Sequence, residues 1–282
     1  MTTATRAPVL FVSHGAPTFA IEPGALGSRL AELGKSLADV AAILVVSAHW
    51  QSMGGVKVMT TPRPQTVHDF GGFPAELYAL QYPAQGHPQL AGEAVRLLEQ
   101  AGFPTTPDDR RGLDHGAWVP LHHMLPNAGV PVFQVSMPAS LTPAEALVLG
   151  KGLAPLREQG VMIMTSGSMT HNLHEFRQRG HGAEPYVREF AEWVRQRVAD
   201  EEVDALVQYR HKAPHAARAH PTQEHFLPLL VAMGARSAAD ELHMLDEEVT
   251  YGVLSMESYV WHAAAQPRSR IAAEDVHAAH PA

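Results

Sequence analysis

The sequence predicts an α/β fold, a single domain with a central mixed, mostly parallel β-sheet flanked by helices on both faces. Three observations carry this expectation. Short β-branched runs alternate with amphipathic stretches of helical period. The runs are apolar throughout rather than at every second residue, as strands covered on both faces are. No internal repeat or Ser/Gly-rich linker divides the 282 residues, of which 45% are hydrophobic, enough to bury a sizeable core.

In chain order, the first strand is Val9–Ser13, a run of apolar residues closed by Ser13 and a Gly15/Pro17 turn. An amphipathic helix over 26–37 follows, then strands over 42–48 and 56–60. Residues 88–102 form the next helix, with Leu90, Ala94, Leu97 and Leu98 on one face. A strand over 130–137 leads to Thr142-Pro143-Ala144-Glu145, an N-cap, a proline in the first turn and a capping-box glutamate. A strand over 161–166 precedes a helix over 184–199 whose Tyr186, Phe190, Trp193 and Val194 share a core-facing stripe. Pro221 suits the opening of a helix that would hold Glu224 and His225 in its first two turns. Residues 242–251 and 253–261, joined near Gly252, predict a β-hairpin that makes the sheet mixed. The domain is thus expected over 1–262, with 263–282, including His277 and His280, a frayed tail.

Composition narrows the function. A net charge of -8 offers no basic footprint for nucleic acid. No apolar run reaches membrane-spanning length, and the first residues lack a signal-peptide core. With no cysteine there is neither a disulfide framework nor a thiolate metal site. These features together give the expectation of a cytoplasmic protein, and they set no oligomeric state.

Eighteen histidines are the feature that points to chemistry. His14 and His49 follow two buried strands, and the C-terminal edge of an α/β sheet is where ligands bind. A neutral imidazole is the commonest protein ligand for a borderline transition metal, so two matched strand ends predict a metal site. His115 lies in Leu113-Asp114-His115-Gly116, read as a loop before a short helix bearing His122 and His123; a simple loop hydrogen bond is the alternative. His171 follows the 161–166 strand and would share a face with His174 if a helix began there; His171, nearer the strand end, is the candidate. Helical neighbours diverge by about 100°, so only one of Glu224 and His225 is expected to face an ion. His68 with the Gly71-Gly72-Phe73 turn either lines an entrance or is structural.

Six blocks in order extend the reading: Ser13-His14-Gly15-Ala16-Pro17; Ser47-Ala48-His49-Trp50; His68-Asp69-Phe70-Gly71-Gly72-Phe73-Pro74; Leu113-Asp114-His115-Gly116-Ala117-Trp118; Gly167-Ser168 with Thr170-His171-Asn172-Leu173; and His220-Pro221-Thr222 with Glu224-His225-Phe226. Together they resemble the DOPA-dioxygenase type of class III extradiol ring-cleaving dioxygenases over nearly the whole chain. The resemblance implies metal ligands His14, His49 and His225, with Glu224 competing for the third place. It implies His171 as acid-base catalyst or fourth ligand, and His115 as a catalytic histidine behind the metal. The implied cofactor is Fe(II), with Zn(II) possible as the bound metal, and the implied partners are a small-molecule catechol and O2. The activity implied is O2 insertion into a catecholic ring to give a muconic semialdehyde, the catechol and the bond cleaved being left open. A histidine-ligated zinc hydrolase and a noncatalytic metal-binding protein on the same scaffold are the rivals; retention of His115 and His171 speaks against the second.

Overall fold

The structure is a computed structural model that describes residues 6–176, 182–246 and 248–264. Its strands are β1 (Val9–Ser13), β2 (Ala42–Ser52), β3 (Val56–Met59), β4 (Thr105–Asp108), β5 (Val132–Pro138), β6 (Val161–Gly167), β7 (Asp240–Asp246), β8 (Val249–Thr250), β9 (Leu254–Ser255) and β10 (Ser258–Ala263). Eight form one sheet in the order β4-β3-β5-β2-β6-β1-β10-β7. The central four are mutually parallel. Antiparallel pairs lie outside them, β3 on β5 at one side and β10 on β1 and β7 at the other. The predicted class is therefore the observed one, mixed with a parallel centre.

Every residue of β1 and of β6 is buried. Successive strand side chains point to opposite faces, so complete burial means that both faces are covered. The helix Leu227–Ala235 packs on β6, β1 and β2, while the helix His115–Met124 contacts β2, β6 and the helix Gly24–Lys35. All nine residues of Leu227–Ala235 are buried, which its uniformly apolar sequence permits. The helix Pro143–Leu153 opens with the expected capping box, Thr142 and Glu145 exchanging side-chain and backbone bonds. In the helix Pro185–Ala199, Tyr186, Phe190 and Val194 are buried as expected. Trp193 is only partly buried, at the margin of the core with the Arg197 guanidinium 5.8 Å from its ring centre.

Two elements differ from expectation. Sequence patterning gives no sign of β4, whose Thr-Thr-Pro-Asp is polar; as an edge strand it tolerates Pro107 and needs no apolar face. The expected hairpin is split. β7 and β10 do pair antiparallel, but the Gly252 turn (φ 75) joins β8 to β9, a separate two-stranded ribbon inserted between them. The sheet reaches Ala263, and the rest of the expected tail from residue 265, with His277 and His280, lies outside the described residues. No described helix is long and apolar enough to cross a membrane.

The order β2-β6-β1 matters most for the site. These three parallel strands end side by side, and in α/β sheets ligands bind outside the carboxyl ends of the strands.

Candidate metal centre

His14 follows β1 directly, and its backbone N–H donates to the Gly167 carbonyl at the end of β6 (3.0 Å). His49 does not end its strand. β2 continues to Ser52, and its register against β5 slips between Val46 and Gln51. His49 lies in that irregular stretch, where a bulge re-aims a side chain. Beneath it, the His49 N–H donates to Ser47 Oγ (3.2 Å), and the Ser47 hydroxyl donates to the buried Asp114 carboxylate (2.6 Å). Asp114 also accepts from Gln134 (2.9 Å), Arg111 (2.7 Å) and the Ala117 N–H (3.2 Å). The last bond makes Asp114 an N-cap, so His115 is the first residue of the helix His115–Met124 rather than part of a loop. Gly116 is required by this packing: a Cβ there would stand 2.5 Å from Ser47 Oγ and 3.0 Å from His49 Cδ2.

The Pro221 helix expected to carry His225 is absent. Residues 221–226 form turns, and the helix begins at Leu227 with Pro228 in its first turn. The His225 carbonyl instead accepts from the Ser168 N–H (2.9 Å), tying this turn to the end of β6. Glycine at 167 allows the approach, since a Cβ would lie 2.3 Å from that carbonyl oxygen. Outside a helix the 100° divergence no longer applies, and the two side chains meet: His225 Nδ1 and Glu224 Oε1 are 2.9 Å apart. The helix considered for His171 and His174 is likewise only a 3-10 turn, Leu173–Glu175, which His171 precedes. The His171 N–H is held by the Ala219 carbonyl (2.8 Å), and His174 is exposed.

His14, His49 and His225 come together. Their Nε2 atoms stand 3.0 Å apart for His14 and His49 and 3.4 Å for His49 and His225. Nitrogens held about 2.0–2.1 Å from one ion would be about 3.0 Å apart at right angles and about 3.4 Å apart at a tetrahedral angle, so the trio fits a single cation. Protonation agrees. The Ser166 hydroxyl donates to the Gly116 carbonyl and therefore accepts from His14 Nδ1 (2.9 Å), leaving the His14 Nε2 lone pair facing inward. A carboxylate only accepts, so Glu224 fixes His225 in the same tautomer. Two inward lone pairs meeting a third imidazole call for a positive centre. Burial first, and then the neighbouring imidazoles, lower the basicity of His14 and His225 well below 6.5. Burial and His115 bring His49 to about 4 against the pull of Asp114 and Asp69. Neutral imidazole is the form that binds metal.

His171 and His115 flank the trio. The His171 ring lies parallel to that of His225, 7° between planes and 3.5 Å between centres. His171 thus stacks on His225, whereas the rings of His14, His49 and His225 are tilted to one another by 55 to 79°. Burial lowers His171 to about 4, opposed by Glu224. The His115 ring is centred 4.0 Å from His49 and 5.4 Å from His14. Asp69, which motif reading noted without giving it a role, takes both the His115 backbone N–H (2.8 Å) and Nδ1 (3.0 Å), and its other oxygen is 3.5 Å from His49 Nδ1. Burial would raise this carboxyl, but the bonds from His115 hold it down to about 2.

Three further histidines, one buried and two half-buried, bond backbone carbonyls. His220 donates from Nε2 to the Met169 carbonyl (2.9 Å), and His123 from Nε2 to the Phe19 carbonyl (2.8 Å). His68 bonds the Leu80 carbonyl (3.0 Å) and stands edge-on to Trp118 and to Phe70. Sequence patterning gives no sign of the bonds that Ser166 and Asp69 make to His14 and His115; Asp69 stands out only by its place beside His68.

The geometry has close relatives. The family of the catalytic LigB subunit of aromatic ring-opening dioxygenase matches residues 10–261. A 4,5-DOPA dioxygenase extradiol of Escherichia coli K12 is 39% identical over 262 residues, covering 90% of this chain and 94% of its own. One from Beta vulgaris is 38% identical over 253 residues, covering 88% and 94%. The crystal structure of an uncharacterized Escherichia coli K12 protein superposes with a TM-score of 0.75 at 33% identity, over 90% of this chain and 99% of that one. Family match and high coverage on both sides, joined to a histidine cluster at the carboxyl edge of the sheet, identify this chain as a member of the LigB family and an extradiol aromatic ring-opening dioxygenase.

Proposed function

We propose that the protein is an Fe(II)-dependent extradiol dioxygenase acting on a DOPA-like catechol, with His14, His49 and His225 as the metal ligands. The observation that carries this is the convergence of three Nε2 atoms at 3.0 and 3.4 Å, two of them locked as lone-pair donors by Ser166 and Glu224. Three protein ligands on one face leave positions for both catechol oxygens and for dioxygen. A bound Fe(II) would supply the electron path between catecholate and O2 that the protein's own groups lack. The names of the relatives, 4,5-DOPA dioxygenase extradiol, support the substrate class. A cysteine-free chain is compatible with a reducing cytoplasm.

His171 acts as the base in this reading. Burial keeps it neutral at pH 7, and its stacked orientation leaves its lone pair for a substrate hydroxyl proton, which it returns as the ring opens. His115, on the other side of the ligands, has its Nδ1 taken by Asp69, which would leave Nε2 as an acceptor for a substrate hydroxyl. Phe70, edge-on to His115 at 5.6 Å, helps to wall this side from water.

The test is anaerobic loading with Fe(II), then addition of air and a panel of catechols including L-DOPA and protocatechuate. Oxygen uptake with formation of a yellow semialdehyde is expected. No uptake across the panel, together with ester or amide hydrolysis by the zinc-loaded protein, would overturn the reading in favour of a hydrolase.

A further inference from the structure

Asp69 reaches the histidine cluster from a segment remote in sequence, and the structure fixes that segment firmly. Val67 donates to the Leu113 carbonyl (2.8 Å), Leu113 donates to the Gln65 carbonyl (2.8 Å), and the Trp118 indole donates to the Val67 carbonyl (3.1 Å). The strip that carries Asp69 is thus laced to the strip that carries His115, on both sides of it. Phe70 adds its ring against His115. One carboxylate then spans two imidazoles: Oδ1 holds the His115 N–H and Nδ1, and Oδ2 stands 3.5 Å from His49 Nδ1.

We propose that Asp69 is a positioning residue that locks His115 in its Nδ1–H tautomer and couples that ring to the ligand His49, so that His115 Nε2 meets the substrate as a hydrogen-bond acceptor. The inference rests on the role given to His115 above. A carboxylate accepts only, so a neutral imidazole bonded to it through Nδ1 carries its proton there and keeps the Nε2 lone pair free. Losing the carboxylate removes this choice, and the neutral ring can place its proton on Nε2, where it would donate rather than accept. The same change of tautomer disables an imidazole base when a backing aspartate becomes asparagine. The same carboxylate oxygen accepts the His115 backbone N–H at 2.8 Å, which anchors Asp69 to the first residue of the helix that carries the ring.

The experiment compares wild type, Asp69→Asn, Asp69→Glu, His115→Ala and the double variant Asp69→Asn/His115→Ala. In the metal-free proteins, long-range 1H–15N spectra report each imidazole tautomer, the His115 signals being those lost in His115→Ala. Metal titration and steady-state turnover of the Fe(II) form complete the set. Asp69→Asn should show His115 shifted toward Nε2–H, Fe(II) affinity within about tenfold of wild type, and kcat down about 10–100-fold with little change in KM. Asp69→Glu should keep the Nδ1–H tautomer and recover part of the turnover, and it serves as the readout should Asp69→Asn not fold. The double variant should be no slower than His115→Ala. An unchanged His115 tautomer in Asp69→Asn, complete loss of metal binding, which would make Asp69 a ligand, or additive losses in the double variant would each overturn the inference. Wild-type turnover in His115→Ala would instead remove the role given to His115, with the tautomer spectra still deciding what Asp69 does.

Discussion

His220 and His225 lie five residues apart in one run of turns, and both are buried, 0% and 5% exposed, yet they belong to different parts of the molecule. His220 sits among Phe190, Tyr209 and Phe226, with ring centres 5.3 to 6.2 Å away. Its Nε2 is spent on the Met169 carbonyl, and its Nδ1 has no hydrogen-bond partner. His225 spends Nδ1 on Glu224 and turns Nε2 toward His49. Burial depresses the basicity of both, His220 to about 3. A buried, neutral imidazole is therefore not by itself a ligand; what distinguishes the two is which nitrogen is left free and whether other lone pairs meet it.

The strongest way to break this comparison is His225→Ala. It should abolish Fe(II) binding in a metal titration and cost more activity than the about 10²–10⁴-fold that a proton-transfer residue contributes. Retained metal would leave the site to Glu224 and its neighbours. Next in size, His171→Ala should slow turnover about 10²–10⁴-fold with metal content preserved, separating the stacked ring from His225 beneath it. Parallel loss of both would make His171 a fourth ligand. Glu224→Gln tests the outer bond that defines His225, and metal affinity should fall about 10–100-fold by calorimetry.

The smallest effect belongs to the aromatic pocket. His220→Phe should leave metal binding unchanged and destabilise the fold by about 1–3 kcal/mol in denaturant unfolding, because the Met169 carbonyl loses its donor. It should also flatten the pH dependence. The folded value of about 3 lies below the unfolded value of about 6.5, so the unfolded chain takes the proton first. The stability is complete above pH 6.5 and is lost as pH falls toward 3. Thermal unfolding of the metal-free protein between pH 7 and 5 should show a smaller fall in Tm for His220→Phe than for wild type; an equal fall would place the acid sensitivity elsewhere.

Much of this was legible in sequence because the relevant signals are local. The strands of the parallel centre are apolar runs, which burial on both faces demands, and the Thr142 capping box needs only four residues. His14 was visible as an imidazole delivered by a strand end. The edge strand β4 was not, since its stability comes from pairing with β3 rather than from its own side chains. The helix expected at Pro221 failed for a related reason. Pro228 fits the first-turn rule equally well, and the choice between the two prolines was made by the Gly167–His225 contact, between residues 58 positions apart.

The sequence by itself determined the fold class and nominated five histidines, His14, His49, His115, His171 and His225, because periodicity and residue type are properties of short segments. Only the tertiary structure decided which way each ring faces and what it is bonded to. Side-chain direction and tautomer depend on partners distant in the chain: Ser166 for His14, Asp69 for His115, the β2 bulge for His49 and the stacked His225 ring for His171. An imidazole has two nitrogens, and the fold decides which is the lone-pair donor by giving the other a bond.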